Sequence, residues 1–526
     1  MAKKRYKVIF VPSGHTGVVD GGVSLQAAAR AIGENIESIC GGKGSCGKCK
    51  VRVLNGTEHG IRSDASHLGP LTEAERRYAA EHGLKPEERL ACQAEVRGDV
   101  AMFVPEESRA GRQVILKALT DRTMEIVPTI RKYYSELSPA TLADPVGDWE
   151  RLAAELASRF GLADLRIDHH ALKSLPGALR AGNWAVTVTV WDGREILRVE
   201  PGYVEKAHGL AVDVGTTTIG AYLCDLASGD IVGTSAMMNP QIAFGGDVMS
   251  RIAYAKDHPG GLAELNRVLV NGLNELVRDA TGRAGLHPYD IVELVMVGNT
   301  AMHHFFLGLD TVPLGLAPFT PAIHRSVNVK ARDLGLEILP SANVHVLPVE
   351  AGFVGADNVG VLIAEEPYNQ GEVLLIIDIG TNGELILGSR KRLLSCSCAT
   401  GPAFEGASIR FGMRAAPGAI DRVRIDPRTR EVDFRVIGKG ERARGICGSG
   451  IIEAVAEMLR AGIIKKDGAF NQSVNLPRLR IGQEGHTEFI LAPARETAIG
   501  QDIVVTQNDV RAIQLAKAAL YAGAEL

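Results

Sequence analysis

Long apolar runs are missing. Nowhere do the 526 residues approach the roughly 18 consecutive apolar positions that a membrane-spanning helix requires. The amino terminus, MAKKRYKVIF, lacks the apolar stretch and small-residue cleavage site of an export signal, so a cytoplasmic protein without a membrane partner is expected. Neither sign of charge is in excess. Lys and Arg number 58 against 62 Asp and Glu, which argues against nucleic acid or an anionic surface as partner. Aromatic residues are scarce at 5 %, whereas glycine is abundant at 59. Few large anchors and many small residues suit a loop-rich α/β chain whose sites are lined by backbone. The length is too great for one core, and about three domains are expected. Cysteine is sparse as well, but four of the eight crowd residues 40–92. In a reducing compartment such a cluster favours metal over disulfides.

Those four are Cys40, Cys46, Cys49 and Cys92, in the pattern C-x5-C-x2-C, then 42 residues, then C. Plant-type 2Fe–2S ferredoxins use C-x4-C-x2-C and a distant fourth cysteine. The one-residue-longer first gap resembles the adrenodoxin-like branch. Gly41, Gly42, Gly44 and Gly47 permit a loop wrapped around a cluster with amides aimed at sulfur. Structural zinc also needs four thiolates, but such sites usually pair two C-x2-C knuckles, and only one is present. The surroundings read as a β-grasp ferredoxin ending near Val104. Lys7–Pro12 is a strand with a hairpin return, Ser24 caps a helix over 25–32, Lys50–Leu54 is a strand, and Thr72 with Glu75 is a capping box.

Residues 99–125 lack a long apolar period and read as a linker, which sets the first domain at 1–98. Residues 126–205 form a small α+β domain with a helix over 148–160 and a strand over 184–191. His169-His170 there reads as a surface or turn feature, not a metal pair. Residues 206–526 form the last domain.

Two stretches of that domain share one design. Gly371–Gly388 reads GEVLLIIDIGTNGELILG, and 165 residues earlier Gly209–Leu226 reads GLAVDVGTTTIGAYLCDL. Each is a strand ending in aspartate (Asp378, Asp213), a glycine-bearing polar tip and a second apolar strand. The strand over 373–379 is expected to be buried. Each tip could be an ordinary turn alone. Two copies in equivalent places look like the two phosphate loops of the acetate kinase, sugar kinase, Hsp70 and actin superfamily. That resemblance implies that Gly215, Thr216, Thr217 and Thr218, with Gly380, Thr381 and Asn382, hold phosphates of ATP. It implies that Asp213 and Asp378 position Mg²⁺ and the attacking water. Glu384 is a candidate for orienting that water. Gly448 and Ser449, opening a helix over 451–460, are equally a glycine-rich anion site or a plain helix start. His304, in a helix over 301–306 capped at 298–300, is expected to be packed or exposed rather than in the cleft. Cys396 and Cys398 point to one face of a strand and read as buried thiols.

A ferredoxin joined through a small domain to an actin-like ATPase resembles the ATP-dependent reductive activators of corrinoid proteins. The stretches that carry the likeness are CGGKGSCGKC, AVDVGTTTIGAYLCDL, GNTAMHH, IIDIGTNGE, GPAFEGASIRFGM, GICGSGI and NDVRAIQLAKAALYAG. The resemblance implies one-electron reduction of Co(II) to Co(I) in a corrinoid protein, an upstream low-potential donor, and ATP coupling. A plant-type cluster sits near about −400 mV, and each ~59 mV of mismatch opposes one-electron transfer tenfold, so coupling to ATP is what drives the step. In the family a further strand, a Gly-Ala-Phe-Gly-like turn and more helices follow the last helix. The sequence stops at Leu526, so an incomplete adenosine pocket is expected. A homodimer is left open. The rival readings are a ferredoxin-type shuttle with a regulatory nucleotide-binding module, and a small-molecule kinase with an appended cluster. Activators of 2-hydroxyacyl-CoA dehydratases lack a ferredoxin domain, so Cys40–Cys92 argues against them.

Overall fold

A computed structural model describes residues 4–34, 36, 42–45, 47–58, 61–105, 108, 126–406, 408–413, 415–482 and 485–526. The chain folds as two units. One comprises Met1–Val114, Pro240–Tyr254 and Leu362–Leu526; the other comprises Ile115–Asn239 and Ala255–Val361.

The first unit begins with a five-stranded sheet. Its order is Thr16–Asp20, Arg5–Val11, Val100–Phe103, Lys50–Leu54, Glu88–Leu90, with Arg5–Val11 and Val100–Phe103 parallel. Val8, Phe10, Val51, Leu90 and Met102 are fully buried beneath it. Ser24 caps the helix Leu25–Ile32 by accepting from Ala27 N–H, and Thr72 and Glu75 form a reciprocal capping box on Glu73–His82. Both caps match the sequence reading. The domain boundary at 98 does not hold, because Val100–Phe103 is a central strand of this sheet, hydrogen-bonded on both edges. The strand agrees instead with the reading of a β-grasp ferredoxin that ends near Val104. Most of the linker, residues 106, 107 and 109–125, lies outside the described residues.

Buried Glu75 does more than cap. Arg89 Nε and Nη2 reach its two oxygens at 2.8 and 2.9 Å, and Leu90 N–H donates to it at 3.0 Å. Burial alone would raise the Glu75 carboxyl, but the Arg89 guanidinium and the backbone donors hold it below the usual range. This pair fixes the strand that leads directly to Cys92.

The rest of that unit carries a three-stranded antiparallel sheet, Leu374–Ile379, Gly383–Ser389 and Arg392–Cys398. The helix Gln507–Glu525 packs on it, with Leu520 against Gly383. Between them, residues 402–506 build two small sheets around the helix Gly448–Arg460, over a core of Ile420, Ile446, Ile451, Met458 and Phe489. The expectation that the strand over 373–379 is buried is overturned. Val373, Leu375, Ile377 and Ile379 are 71, 49, 47 and 51 % exposed. Among the described residues the strand lies at the edge of its sheet, hydrogen-bonded on one side, and the helix covers the neighbouring strands instead.

In the second unit, a four-stranded sheet (Ile130–Glu136, Ala185–Trp191, Glu195–Pro201, Arg166–Ile167) packs under the helices Asp148–Phe160 and His169–Ala181. His169 and His170 begin the second helix, where Asp168 caps His170 N–H. A six-stranded sheet follows, ordered Ile231–Met238, Thr218–Asp225, His208–Val214, Ile291–Gly298, Asn343–Val346, Val327–Lys330. The sheets are joined by Trp191 Nε1–H to Glu293 (3.2 Å) and by Lys330 to Glu195 (2.8 Å). His208–Val214 is interior, with Thr218–Asp225 antiparallel on one edge and Ile291–Gly298 parallel on the other.

Candidate cluster and nucleotide sites

Cys49 immediately precedes the strand Lys50–Leu54, and Cys92 follows Glu88–Leu90, its antiparallel neighbour. Pairing brings residues 43 positions apart together, and the two sulfurs stand 3.4 Å apart. That is a fitting separation for two thiolates on one tetrahedral iron, with Cys49 buried and Cys92 half-buried. Gln93 Nε2 donates to Gly42 O at 2.6 Å and reaches Cys92 Sγ at 3.8 Å, which ties the glycine loop to the fourth cysteine. Gly47 has φ +64°, and a Cβ there would stand 1.8 Å from Tyr78 Oη. No other residue fits that point of the loop. Cys40 and Cys46 lie outside the described residues.

The first hairpin turn, Gly215–Thr218, is closed by Gly215 N–H to Thr218 O at 2.9 Å. Asp213 is exposed one residue before the end of its strand. Thr216 and Thr217 are buried, and Gly215 and Thr218 half-buried. Two asparagines that the sequence reading left out of the site hold this turn. Asn239 Nδ2 donates to Gly215 O (2.8 Å), and Asn239 N–H donates to Thr217 O (2.9 Å). Asn299 Nδ2 donates to Thr216 Oγ1 (2.8 Å), while Asn299 Oδ1 caps the helix Thr300–Leu307 through Met302 N–H. The only signal was that each Asn sits at a strand end beside small residues.

The second turn is held differently. Gly380 N–H donates to Asn382 O at 3.1 Å, and the hydroxyl of Thr400 lies 3.0 Å from both Gly380 O and Thr381 O. Asp378 is solvent-accessible yet surrounded by enough protein that its carboxyl is pushed above the usual range, against the Ile379 amide. Glu384, opposite Asp378 in register, is buried and accepts from Ser397 Oγ at 3.0 Å. The two turns belong to different units.

Gly448 and Ser449 open the helix Gly448–Arg460. Ser449 is exposed, and its Oγ is 3.3 Å from Cys447 Sγ. His303 and His304 are fully buried. His304 accepts from Ala322 N–H and bonds Thr300 O, a packed histidine as expected. Burial, with His304 beside it, lowers His303 to about 4. Cys396 and Cys398 face Gly523 of the last helix, and burial pushes Cys398 up to about 11. It stays a protonated thiol.

Comparison with known proteins assigns each segment of the chain to a family. Residues 9–97 match the 2Fe–2S iron–sulfur cluster binding domain, 119–206 the RACo linker region, 208–370 the RACo middle region, and 372–526 the C-terminal domain of RACo, the ASKHA domain. Corrinoid activation enzyme RamQ of Eubacterium limosum is 33 % identical over 502 residues, covering 94 % of this chain and 78 % of that protein. The chain belongs to the RACo family. A solved RACo-type structure, titled reductive activator for corrinoid, iron–sulfur protein, superposes with a TM-score of 0.71 at 36 % identity, over 99 % of this chain and 83 % of that one. A more distant relative is the Co(II) methylated amine-specific corrinoid protein reductase of Methanosarcina barkeri. It is 28 % identical over 287 residues, covering 49 % of this chain and 52 % of its own length. Family membership gives the ferredoxin and ASKHA folds. Among the described residues no helix is long and apolar enough to cross a membrane.

Proposed function

We propose that this chain is an ATP-hydrolysing reductive activator that delivers one electron to a corrinoid protein and returns its cobalt from Co(II) to Co(I). The observation that carries the reading is the presence, in one RACo-family chain, of the paired sulfurs of Cys49 and Cys92 and of two aspartate–glycine–threonine hairpins.

Cys40, Cys46, Cys49 and Cys92 would hold the 2Fe–2S cluster, which when bound supplies a single low-potential electron. The Glu75–Arg89 pair and the Gln93–Gly42 hydrogen bond set Cys92 in place. An upstream low-potential protein would load the electron. The Gly215–Thr218 and Gly380–Asn382 turns would offer amide and hydroxyl donors to the phosphates of ATP, with Asp213 and Asp378 facing its Mg²⁺. A cation beside Asp378 offsets the desolvation that raises its carboxyl. Glu384, turned to Ser397, would act on the attacking water only through a change of partner.

The test is anaerobic. The reduced protein is mixed with a Co(II) corrinoid protein, and Co(I) absorbance is followed with and without MgATP. Co(I) that appears in an ATP-dependent way is the expected result. Equal Co(I) formation without ATP would make the chain an electron shuttle.

A further inference from the structure

We propose that the cysteine loop carries a cationic docking face, formed by Lys43, Lys48 and Lys50, that receives an acidic face of the corrinoid protein during electron transfer. The inference rests on the reading of the chain as an activator that reduces such a protein.

The chain as a whole is near charge balance, and the imbalance is local. Between Glu37 and Glu58 stand Lys43, Lys48, Lys50 and Arg52, and no carboxylate. Arg52 is accounted for within the domain, since it stacks over the Phe103 ring at 4.5 Å and lies opposite Glu88 in register. The three lysines flank the ligand positions. Lys48 immediately precedes Cys49 and Lys50 immediately follows it, while Lys43 lies in the glycine-rich stretch between Cys40 and Cys46. Lys43 is exposed, and Lys48 and Lys50 are half-buried. Among the described residues none of the three pairs with a carboxylate. The helix Glu73–His82 meets the loop through Ala74 at Gly44 and Tyr78 at Gly47, and its buried Glu75 is already bound by Arg89.

Lys48 shows what this face does with an oxygen acceptor. Its Nζ donates to Gly412 O at 3.0 Å, between Phe411 and Met413, which bond the backbone of Ile446 on either side. A neutral carbonyl engages the ammonium but leaves its charge uncompensated. A carboxylate in its place would make a stronger, charge-assisted bond. The loop also carries Cys49, whose sulfur stands 3.4 Å from that of half-buried Cys92. A protein whose Co(II) gains the one electron that the reduced cluster gives up must come close to this loop. It then sets its own charges against three ammonium groups. Acidic side chains there speed the encounter and fix its orientation, whereas basic ones are repelled. A purely internal role, offsetting the negative charge of the thiolates, makes a different prediction. It would move the reduction potential and leave the salt dependence of the encounter alone.

The full chain is reduced chemically, so that no upstream donor takes part. Its second-order rate of Co(I) formation with a Co(II) corrinoid protein and MgATP is followed by stopped flow as salt is raised. From about 0.02 to about 0.3 M salt the rate is expected to fall about tenfold, as screening shortens the reach of the opposed charges. K43E/K50E should lose about tenfold at low salt and no longer slow as salt rises, with its melting temperature and cluster resonance unchanged. K48M removes one charge and should lose about threefold. A rate in the unaltered chain that is level or rises with salt would overturn the proposal. So would K43E/K50E within twofold of the unaltered chain, or a shift in its reduction potential with the salt dependence kept. If the charge-reversed variant fails to take up a cluster, K43Q/K50Q decides. A flatter salt dependence is then expected, and an unchanged one overturns the proposal. A salt effect seen only when a protein donor loads the electron would give the face to that donor, and would overturn it too. No Co(I) from the unaltered chain at any salt would overturn the activator reading itself and the inference with it.

Discussion

Leu210 and Leu375 occupy the same place in the two hairpins, three residues before the aspartate, yet one is 2 % exposed and the other 49 %. The first hairpin's leading strand is paired on both edges, and its turn is tied by two buried asparagines from elsewhere in the fold. The second hairpin's leading strand is paired on one edge, and its turn is clipped by the Thr400 hydroxyl of the adjacent chain segment. One short motif thus sits in two mechanical settings. A turn's conformation is local, whereas its stiffness belongs to whatever packs behind it.

The largest expected effect breaks the pairing of the two leucines. Leu210→Ala should cost about 2–5 kcal/mol in chemical unfolding, from lost burial and the cavity left behind. Leu375→Ala should cost about 0.5 kcal/mol, because the side chain is already half in water. Equal losses would mean that the second strand is covered in solution.

Next come the glycines behind the turns. Gly355→Ala drives a methyl into the Asn299 backbone and should cost about 1–3 kcal/mol. Gly380→Ala meets only Asn382 O, at 3.2 Å, and should stay within about 0.5 kcal/mol. A smaller contrast lies in the ties themselves. Asn239→Ala leaves the half-buried Gly215 O without this donor and should cost about 1–3 kcal/mol, against about 1 kcal/mol for Thr400→Val.

The smallest effect is in the pH dependence. The protein around the solvent-accessible Asp378 desolvates its carboxyl enough to hold it above its unfolded value. The native state therefore keeps this proton to higher pH than the unfolded chain does. Stability falls as pH rises from the ordinary carboxylate range through the raised value, and returns as pH falls. Asp378→Asn should raise the melting temperature slightly at neutral pH, and the gain should shrink under acid. A gain that is constant with pH would assign it to something other than this carboxyl.

What was legible in the sequence was local. Ser24, Thr72 with Glu75, and Asn299 cap the helices where their spacing places them, because a cap reaches only three residues. Cys49 and Cys92 could be paired because an iron–sulfur spacing is itself a long-range signal. The Asn299–Thr216 and Asn239–Gly215 contacts span 83 and 24 residues, and no periodicity announces them. The exposure of Leu375, Ile377 and Ile379 was misread for a related reason. An unbroken apolar run, Val373–Ile377, says that a strand could be buried, but not whether anything covers it. The boundary at 98 cut off the strand Val100–Phe103, although the β-grasp reading itself called for a fold that ends near Val104.

The most direct test sets the two hairpins side by side. Asp213→Asn and Asp378→Asn are each reduced, their cluster signals matched by electron paramagnetic resonance, and each is mixed with a Co(II) corrinoid protein and MgATP. The account predicts unchanged cluster signals and ATP-dependent Co(I) formation lowered by about 100-fold or more in both variants. Either variant keeping the full ATP-dependent rate would contradict it.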